Sequence, residues 1–211
     1  MDVTLDLSPD MHELVELFAL ATNLGMFSSS ASGAAAASVD LIDSHTIRLR
    51  ITQSDPASLL SLRRMLISSG AALPPAFRSM PSIQERDLEA DLSAETRALV
   101  SLSGLGELSG DAVFVSVRGA SSVELYDVVR PVVGVWQRLL AKHGLPYRVD
   151  DEPFEDLSTE GIEVYESSEV DVEVATTGYG GGEEGIAALV NGLANQLALA
   201  GLAFQMRCWS G

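Results

Sequence analysis

Acidic side chains are the most concentrated chemical groups in this sequence. Thirteen carboxylates fall between Asp150 and Glu184, and no lysine or arginine occurs between Val149 and Met206. Carboxylates at this density repel one another, so a folded protein that keeps them is expected to present them to a positively charged partner. Paired carboxylates could instead serve as a hydrolytic acid/base pair or hold Mg²⁺. A chain with 30 acids contains adjacent pairs by chance, which makes this enzymatic hypothesis the weaker one.

A glycine-rich segment has the spacing of a nucleotide-binding motif. Residues 180–185 satisfy G-x-G-x-x-G and lie between a predicted strand and a predicted helix. However, Glu183 and Glu184 occupy the first helical turn, where a pyrophosphate would need unopposed N–H dipoles. No acid follows Glu184 to hold a ribose. We therefore interpret the segment as a loop that leads into a helix, and we predict no cofactor.

The remaining reactive side chains are isolated. His12, His45 and His143 are far apart, and no histidine or cysteine stands at metal-ligand spacing. Cys208 alternates with apolar residues, so we predict that it is a buried apolar residue rather than a nucleophile. The sequence thus predicts neither a catalytic residue nor a metal site.

The distribution of charge excludes several classes of partner. The net charge is −17, and residues 1–47 contain seven acids and no base. A nucleic-acid partner is excluded because phosphates require clustered Lys and Arg, and an anionic membrane surface is disfavoured for the same reason. Met1 leads into acids rather than into the basic region of a secretory signal, and a single cysteine fits a reducing compartment. We expect a cytoplasmic protein.

Alternation and helix-boundary signals divide the first 72 residues into a strand, a helix, a hairpin and a second helix. The expected extents are a strand over 3–7, a helix beginning after Ser8, a hairpin over 39–52 and a helix from 55 to about 69. Ser8 is expected to cap its helix. The serine- and alanine-rich residues 28–38 are expected to be a connection.

The remainder of the chain repeats this order of elements after a linker. Residues 73–81 contain three prolines, one or two short helices are expected between 83 and 102, and a glycine-serine run closes the linker. The elements expected afterwards are a strand over 112–117, a helix over 122–143, a hairpin of 162–165 with 170–175, a helix over 183–200 and a strand over 202–209. Pro131 is expected to kink the first of these helices.

These elements predict an α+β fold of two ferredoxin-like halves, each with the order β-α-β-β-α-β. The expected domains are residues 1–72 and 111–211, joined by a short helical linker over 73–110. Each half is expected to form an antiparallel sheet with its helices on one face. The first half lacks a clear last strand, and the repeat is one of element order without residue identity.

Strand alternation in the second half predicts one candidate site. If the valine side of the sheet meets the helices, the opposite side displays the predicted partner-binding residues, which are Phe114, Glu163, Tyr165, Asp171, Glu173, Arg207 and Trp209. Aromatic side chains mixed with carboxylates suit a protein interface, since they supply rigid anchors and electrostatic steering. Alternatively, this side docks against the first half, where Arg48 and Arg50 occupy the corresponding face. The sequence leaves these two arrangements open.

One part of the second half resembles a known family. The segments Val117–Gly119, His143–Leu145, Glu163–Tyr165 and Glu169–Val174 together resemble one repeat of the GyrI-like effector-binding domains. The resemblance implies a duplicated β-α-β-β core that holds cationic, lipophilic ligands with buried carboxylates and aromatics. The predicted helix after Gly182 departs from that family.

We therefore expect a non-enzymatic, acidic binding protein that sequesters or inhibits a basic protein partner, as an immunity protein or antitoxin neutralises a toxin such as a nuclease. The alternative is a sensor or carrier of a cationic small molecule, with Glu163, Tyr165 and Glu173 lining its pocket. The second alternative is a carboxylate- or metal-dependent enzyme. The identity of the partner and the oligomeric state are left open.

Overall fold

Two β-sheets and four helices make up the part of the chain that the computed structural model describes. The described residues are 2–27, 36–53, 56–70, 74, 77, 100–103, 112–143, 162–177 and 182–210. They form an α+β fold, as predicted. The domain boundaries proposed for the chain stay predictions.

The first sheet has three antiparallel strands in the order β1-β3-β2. The strands are β1 (Val3–Leu7), β2 (Ala36–Asp43) and β3 (Thr46–Thr52). Alternation along β3 buries Ile47, Leu49 and Ile51 completely and turns Arg48 and Arg50 to the other face, as predicted. β2 begins within the segment expected to be a connection, and residues 28–35 of that segment lie outside the described residues.

The first helix begins differently from the prediction. α1 (His12–Asn23) follows a short 3-10 turn over Pro9–Met11. Ser8 makes no side-chain cap, so that prediction is wrong; its hydroxyl donates to the Asp10 carboxylate at 3.4 Å. The Met11 N–H instead donates to the Ser8 backbone carbonyl at 3.0 Å and closes the turn. The second helix, α2 (Pro56–Ser68), matches its predicted position.

The second sheet has five strands in the order β4-β8-β5-β7-β6. They are β4 (Val100–Ser103), β5 (Ala112–Arg118), β6 (Ile162–Glu166), β7 (Asp171–Thr177) and β8 (Gln205–Ser210). The helices of this half are α3 (Ser122–His143), which contains Pro131, and α4 (Gly182–Leu199). The order β5-α3-β6-β7-α4-β8 matches the predicted order of elements, and these four strands pair with one another in antiparallel fashion.

The edge strand β4 was not foreseen. Residues 83–102 were predicted to hold short helices, but residues 100–103 pair in parallel with β8, with Val100 opposite Met206 and Leu102 opposite Cys208. A four-residue alternation of apolar residues and serine is too short a signal to read from the sequence. The strand forms because the backbone groups along the edge of β8 offer hydrogen-bond partners to residues 100–103, and not because of the residue pattern of that segment. Residues 83–99 lie outside the described residues.

The helices lie between the two sheets. α1 packs on β2 and also on α3, and α3 packs on α4 and on the second sheet. In α4, Asn195 donates its side-chain N–H to the Leu24 carbonyl at 3.0 Å. A Cβ on Gly192 would come within 3.0 Å of Met26 and 3.1 Å of Val132, so the two halves touch closely. One hydrophobic core therefore includes the inner faces of both sheets.

Among the described residues, no helix combines the length and the apolar character that crossing a bilayer requires.

Candidate functional site

The side of the second sheet that points away from the helices carries the predicted site; we call it the open face. Its position follows from alternation, because Val113, Val115 and Val117 of β5 are buried against the helices. The side chains of the open face are Phe114, Ser116, Arg118, Glu163, Tyr165, Asp171, Glu173, Gln205, Arg207 and Trp209. All seven predicted partner-binding residues therefore lie on one surface.

Strand register arranges these side chains in three rows across the sheet. The first row reads Glu163, Ala175, Phe114, Trp209; the second reads Tyr165, Glu173, Ser116, Arg207; and the third reads Asp171, Arg118, Gln205. Directly opposite residues of an antiparallel pair have Cβ atoms about 5 Å apart, so each row is a line of possible contacts. In the second row Tyr165 lies directly opposite the Glu173 carboxylate, whereas in the first row Ala175 separates Glu163 from Phe114.

An aromatic pair occupies the β5 and β8 positions of the first row of the open face. The rings of Phe114 and Trp209 stack with centroids 5.4 Å apart and planes 14° from parallel. The guanidinium carbon of Arg207 lies 5.3 Å from the centre of the Trp209 ring, within the range of a cation–π contact. Both ring side chains are half-buried. The face thus presents a rigid aromatic platform that already holds one guanidinium.

Tyr165 lies on the β6 side of the open face and is 38% exposed. Partial burial, and then the neighbouring Glu173 and Glu163 carboxylates, raise the pKa of the Tyr165 phenol above its usual value of 10.0. The phenol therefore stays protonated near neutral pH, opposite the Glu173 carboxylate on the neighbouring strand. Glu163 is exposed and Glu173 is half-buried. Together they form an acidic edge beside the aromatic platform.

Asp171 differs from the other acids of the face because its charge is compensated within the protein. Arg118 donates from Nε and Nη2 to its two carboxylate oxygens at 2.7 and 2.8 Å. The Ser168 hydroxyl donates to the same carboxylate at 2.8 Å. The hydrogen bonds from Arg118 lower the pKa of Asp171 below 3.8, and the residue is only 8% exposed. Asp171 fastens β5 to β7 and contributes no free negative charge.

Apart from Asp171, the described acids between residues 150 and 184 lie in two places. Glu163 and Glu173 lie on the open face, whereas Glu166 and Glu169 lie at the turn between β6 and β7. There the Ser122 hydroxyl donates to the Glu166 carboxylate at the start of α3, where a negative charge suits the helix dipole. The side chains of the other eight acids between residues 150 and 184 lie outside the described part of the chain.

The first sheet does not dock on the open face in the described structure, so the alternative left open by the sequence is resolved. The helices lie between the two sheets, and Arg48 and Arg50 are paired within their own sheet. Arg48 donates to the Asp6 carboxylate at 2.6 and 2.9 Å and lowers its pKa, and Arg50 lies 3.4 Å from Asp40. The open face is left pointing outward.

The isolated reactive residues are placed as follows. Cys208 is fully buried, as predicted, and burial raises the pKa of its thiol to about 12. His12 lies 3.4 Å from Glu16 on the exposed side of α1. Within the described ranges, no group of three or more His, Cys, Asp or Glu side chains is placed to hold a metal ion. Of the glycine-rich motif, residues 180 and 181 lie outside those ranges, and residues 182–185 form the start of α4.

Sequence reasoning missed two roles at this site. Alternation along β5 puts Arg118 on the same face as Phe114 and Ser116. Its ion pair with Asp171 could not be predicted, because it depends on the register between β5 and β7. Ser168, in the turn before β7, carried no signal for its bond to Asp171.

Comparisons with protein-family models, with curated proteins and with solved structures each find no match to this chain. The resemblance to GyrI-like domains therefore stays a prediction, and a function has to be inferred from the geometry of the open face.

Proposed function

We propose that this chain is a non-enzymatic binding protein that sequesters a basic protein partner in the cytoplasm, in the manner of an immunity protein or antitoxin. The contact surface is the open face. The observation that carries the proposal is the stacked Phe114–Trp209 pair beside the exposed Glu163 and half-buried Glu173 carboxylates. Stacked rings on a sheet are rigid, so they lose little conformational entropy when a partner covers them.

Electrostatics supplies the second part of this proposal. A chain with a net charge of −17 attracts a basic protein from a distance and raises the rate of encounter. On the open face itself the charge is modest, because Arg118 neutralises Asp171 and Arg207 adds a positive charge beside the Trp209 ring. Long-range attraction is therefore assigned to the whole chain, and short-range recognition to the Glu163, Glu173 and Tyr165 edge.

The fold proposed for this function is a pair of ferredoxin-like halves. In the second half, the order β8-β5-β7-β6 corresponds to strands four, one, three and two of a β-α-β-β-α-β unit, with both helices on one side. The first sheet repeats the order one, three, two in β1-β3-β2. Such units leave one sheet face uncovered, and that face is the surface proposed for binding.

A surface contact is favoured over the pocket that a cation sensor would need. A pocket for a lipophilic cation buries one or two carboxylates that only the ligand neutralises. On the open face the buried carboxylate is that of Asp171, and Arg118 already neutralises it. Glu163 is exposed to solvent.

The test compares capture of basic proteins from a host lysate by three full-length baits. The first bait is the wild-type chain, and the second carries Glu163→Lys and Glu173→Lys. The third carries Glu16→Lys and Asp127→Lys, two exposed carboxylates on α1 and α3. Each reversal adds two charges, so both variants have a net charge of −13 instead of −17. Any difference between them then reports on position and not on total charge.

The captured partner is afterwards purified, and its association rate is measured by stopped flow at two salt concentrations. We expect the open-face variant to slow association by about tenfold or more and the control variant by much less. Circular dichroism verifies that both variants are folded. Equal rates for the two variants, or wild-type binding by the open-face variant, would show that the open face is not the contact surface.

A further inference from the structure

The outer edge of β2 is the feature that the proposed function leaves unexplained. β2 is the last strand of its sheet, and its inner side pairs with β3. At its start, the Ala37 N–H donates to Asn23 Oδ1 at 2.8 Å, and Asn23 Nδ2 donates to the Ala37 carbonyl at 2.9 Å. A side-chain amide therefore occupies the position that the backbone of a neighbouring strand would take.

These two hydrogen bonds determine which backbone groups of β2 point outward. Successive residues of an antiparallel strand turn their N–H and C=O alternately toward one neighbour and the other. Because Ala37 uses both groups on the outer side, Val39 and Leu41 must also point theirs outward. Among the described residues, no hydrogen bond is made by the outward groups of Val39 or Leu41. A two-residue ladder is thus available at this edge.

The side chains around this ladder indicate what kind of strand fits it. Leu41 is 67% exposed and Ile42 is 44% exposed, which is unusual at the edge of a sheet. Asp40 lies on the opposite face of β2 from Val39 and Leu41, and Asp43 ends the strand. Arg50 of β3 lies 3.4 Å from Asp40, so the negative charge that favours a basic strand comes mainly from Asp43 and from the net charge of −17. A strand with apolar side chains on one face and basic ones on the other would complement this edge.

We propose that the outer edge of β2 binds an extended, basic segment of a partner protein by strand addition, with the backbone of Val39 and Leu41 as the pairing groups. This goes beyond the proposed function, because it concerns the other sheet and does not depend on the open face. Main-chain hydrogen bonds supply affinity in such complexes, and alternate side chains supply specificity.

Charge argues against a second copy of this chain as the occupant. Two copies would each bring a net charge of −17, and antiparallel pairing of two β2 strands about Asp40 would set these acids opposite each other. Like charges directly opposite destabilise a strand pair. A basic segment is instead attracted by the net charge of the chain and by Asp43 at the end of β2.

The experiment uses the full-length chain and a blocked peptide of alternating arginine and valine. A peptide of alternating glutamate and valine is the charge control. Amide exchange of Val39 and Leu41 is followed by NMR with and without peptide. Two variants separate backbone pairing from side-chain contact: Leu41→Ala keeps the outward N–H, whereas Leu41→Pro removes it. Proline is tolerated on an edge strand where the N–H points away from the sheet.

We expect the arginine peptide to slow exchange of the Val39 and Leu41 amides by at least about fivefold, and the glutamate peptide to have no effect. Leu41→Pro should weaken binding by about tenfold and Leu41→Ala by about two- to threefold. Equal loss in both variants would reduce the site to an apolar contact and overturn strand addition. Slow exchange of both amides in the free monomer, or a concentration-dependent dimer that protects them, would show that the edge is already covered and overturn the proposal as well. The exchange measurement on the wild-type chain decides the matter even if Leu41→Pro does not fold.

Discussion

Replacing Gly25 by alanine tests whether the two halves of the chain share one core. Gly25 follows α1 in the left-handed conformation, with φ of +81°. Its N–H donates to the Thr22 carbonyl at 2.9 Å, and the Met26 N–H donates to the Ala21 carbonyl at 3.0 Å, which together form a Schellman turn. A Cβ on Gly25 would lie 2.7 Å from Nδ2 of Asn195 in α4, closer than two such atoms approach.

Two costs add up in this variant. An alanine in the left-handed region costs about 1–2 kcal/mol. The added methyl group also displaces the Asn195 amide, which is 5% exposed and donates to the Leu24 carbonyl at 3.0 Å. A buried polar group that loses its partner costs about 1–3 kcal/mol. We therefore expect Gly25→Ala to lower the free energy of unfolding by about 2–5 kcal/mol.

Gly201 provides a matched control. It ends α4 with φ of +70°, and the N–H groups of Gly201 and Leu202 close an equivalent turn. No atom lies within 4 Å of a Cβ built on Gly201, so Gly201→Ala has only the conformational cost of about 1–2 kcal/mol. Urea unfolding followed by far-UV circular dichroism, which reports on both halves, measures both variants. A Gly25→Ala loss no greater than that of Gly201→Ala would refute the contact between α1 and α4, and two separate transitions would refute the shared core.

Two further predictions concern groups whose pKa is displaced. Arg118 lowers the pKa of Asp171 below 3.8, so the ionised carboxylate stabilises the fold above that pH, and this contribution is lost as the pH falls through the lowered pKa. The difference in free energy of unfolding between wild type and Asp171→Asn should therefore shrink below pH 3.8. A difference that grows on acidification would contradict the pairing. Burial raises the pKa of Cys208 from 9.0 to about 12, which lowers its thiolate fraction about a thousandfold. Ellman's reagent should therefore react with the native chain at least a hundredfold more slowly than with the chain in urea. Rapid labelling of the native chain would show that Cys208 is not buried.

Much of the local structure could be predicted because the signals are local. The alternation of Val113, Val115 and Val117 has the period of a strand with one buried side, and the structure buries all three. β2 and β3 form the hairpin predicted over 39–52, with Ser44 and His45 between the two strands. A capping serine was less predictable, because Ser8 bonds to a neighbouring carboxylate rather than to the helix backbone.

The candidate site could be predicted as a set of residues but not as an arrangement. Parity along each strand assigned Phe114, Glu173 and Trp209 to one face without any knowledge of register. The stacking of Phe114 on Trp209 and the pairing of Asp171 with Arg118 both required the register between strands distant in sequence. No local pattern encodes that register, since it depends on turns, on core packing and on which strand finds which edge.

By itself, the sequence determined which side of each strand is apolar, where the helices run and how strongly acidic the chain is, because periodicity and charge are properties of neighbouring residues. Only the tertiary structure decided that the helices of both halves meet, with Gly25 and Gly192 at the points of closest approach. That packing buries the apolar sides of both sheets in one core and turns the open face outward. It also left the edge of β2 with outward backbone groups at Val39 and Leu41, because backbone pairing is settled by the neighbours a strand acquires and not by its own residues.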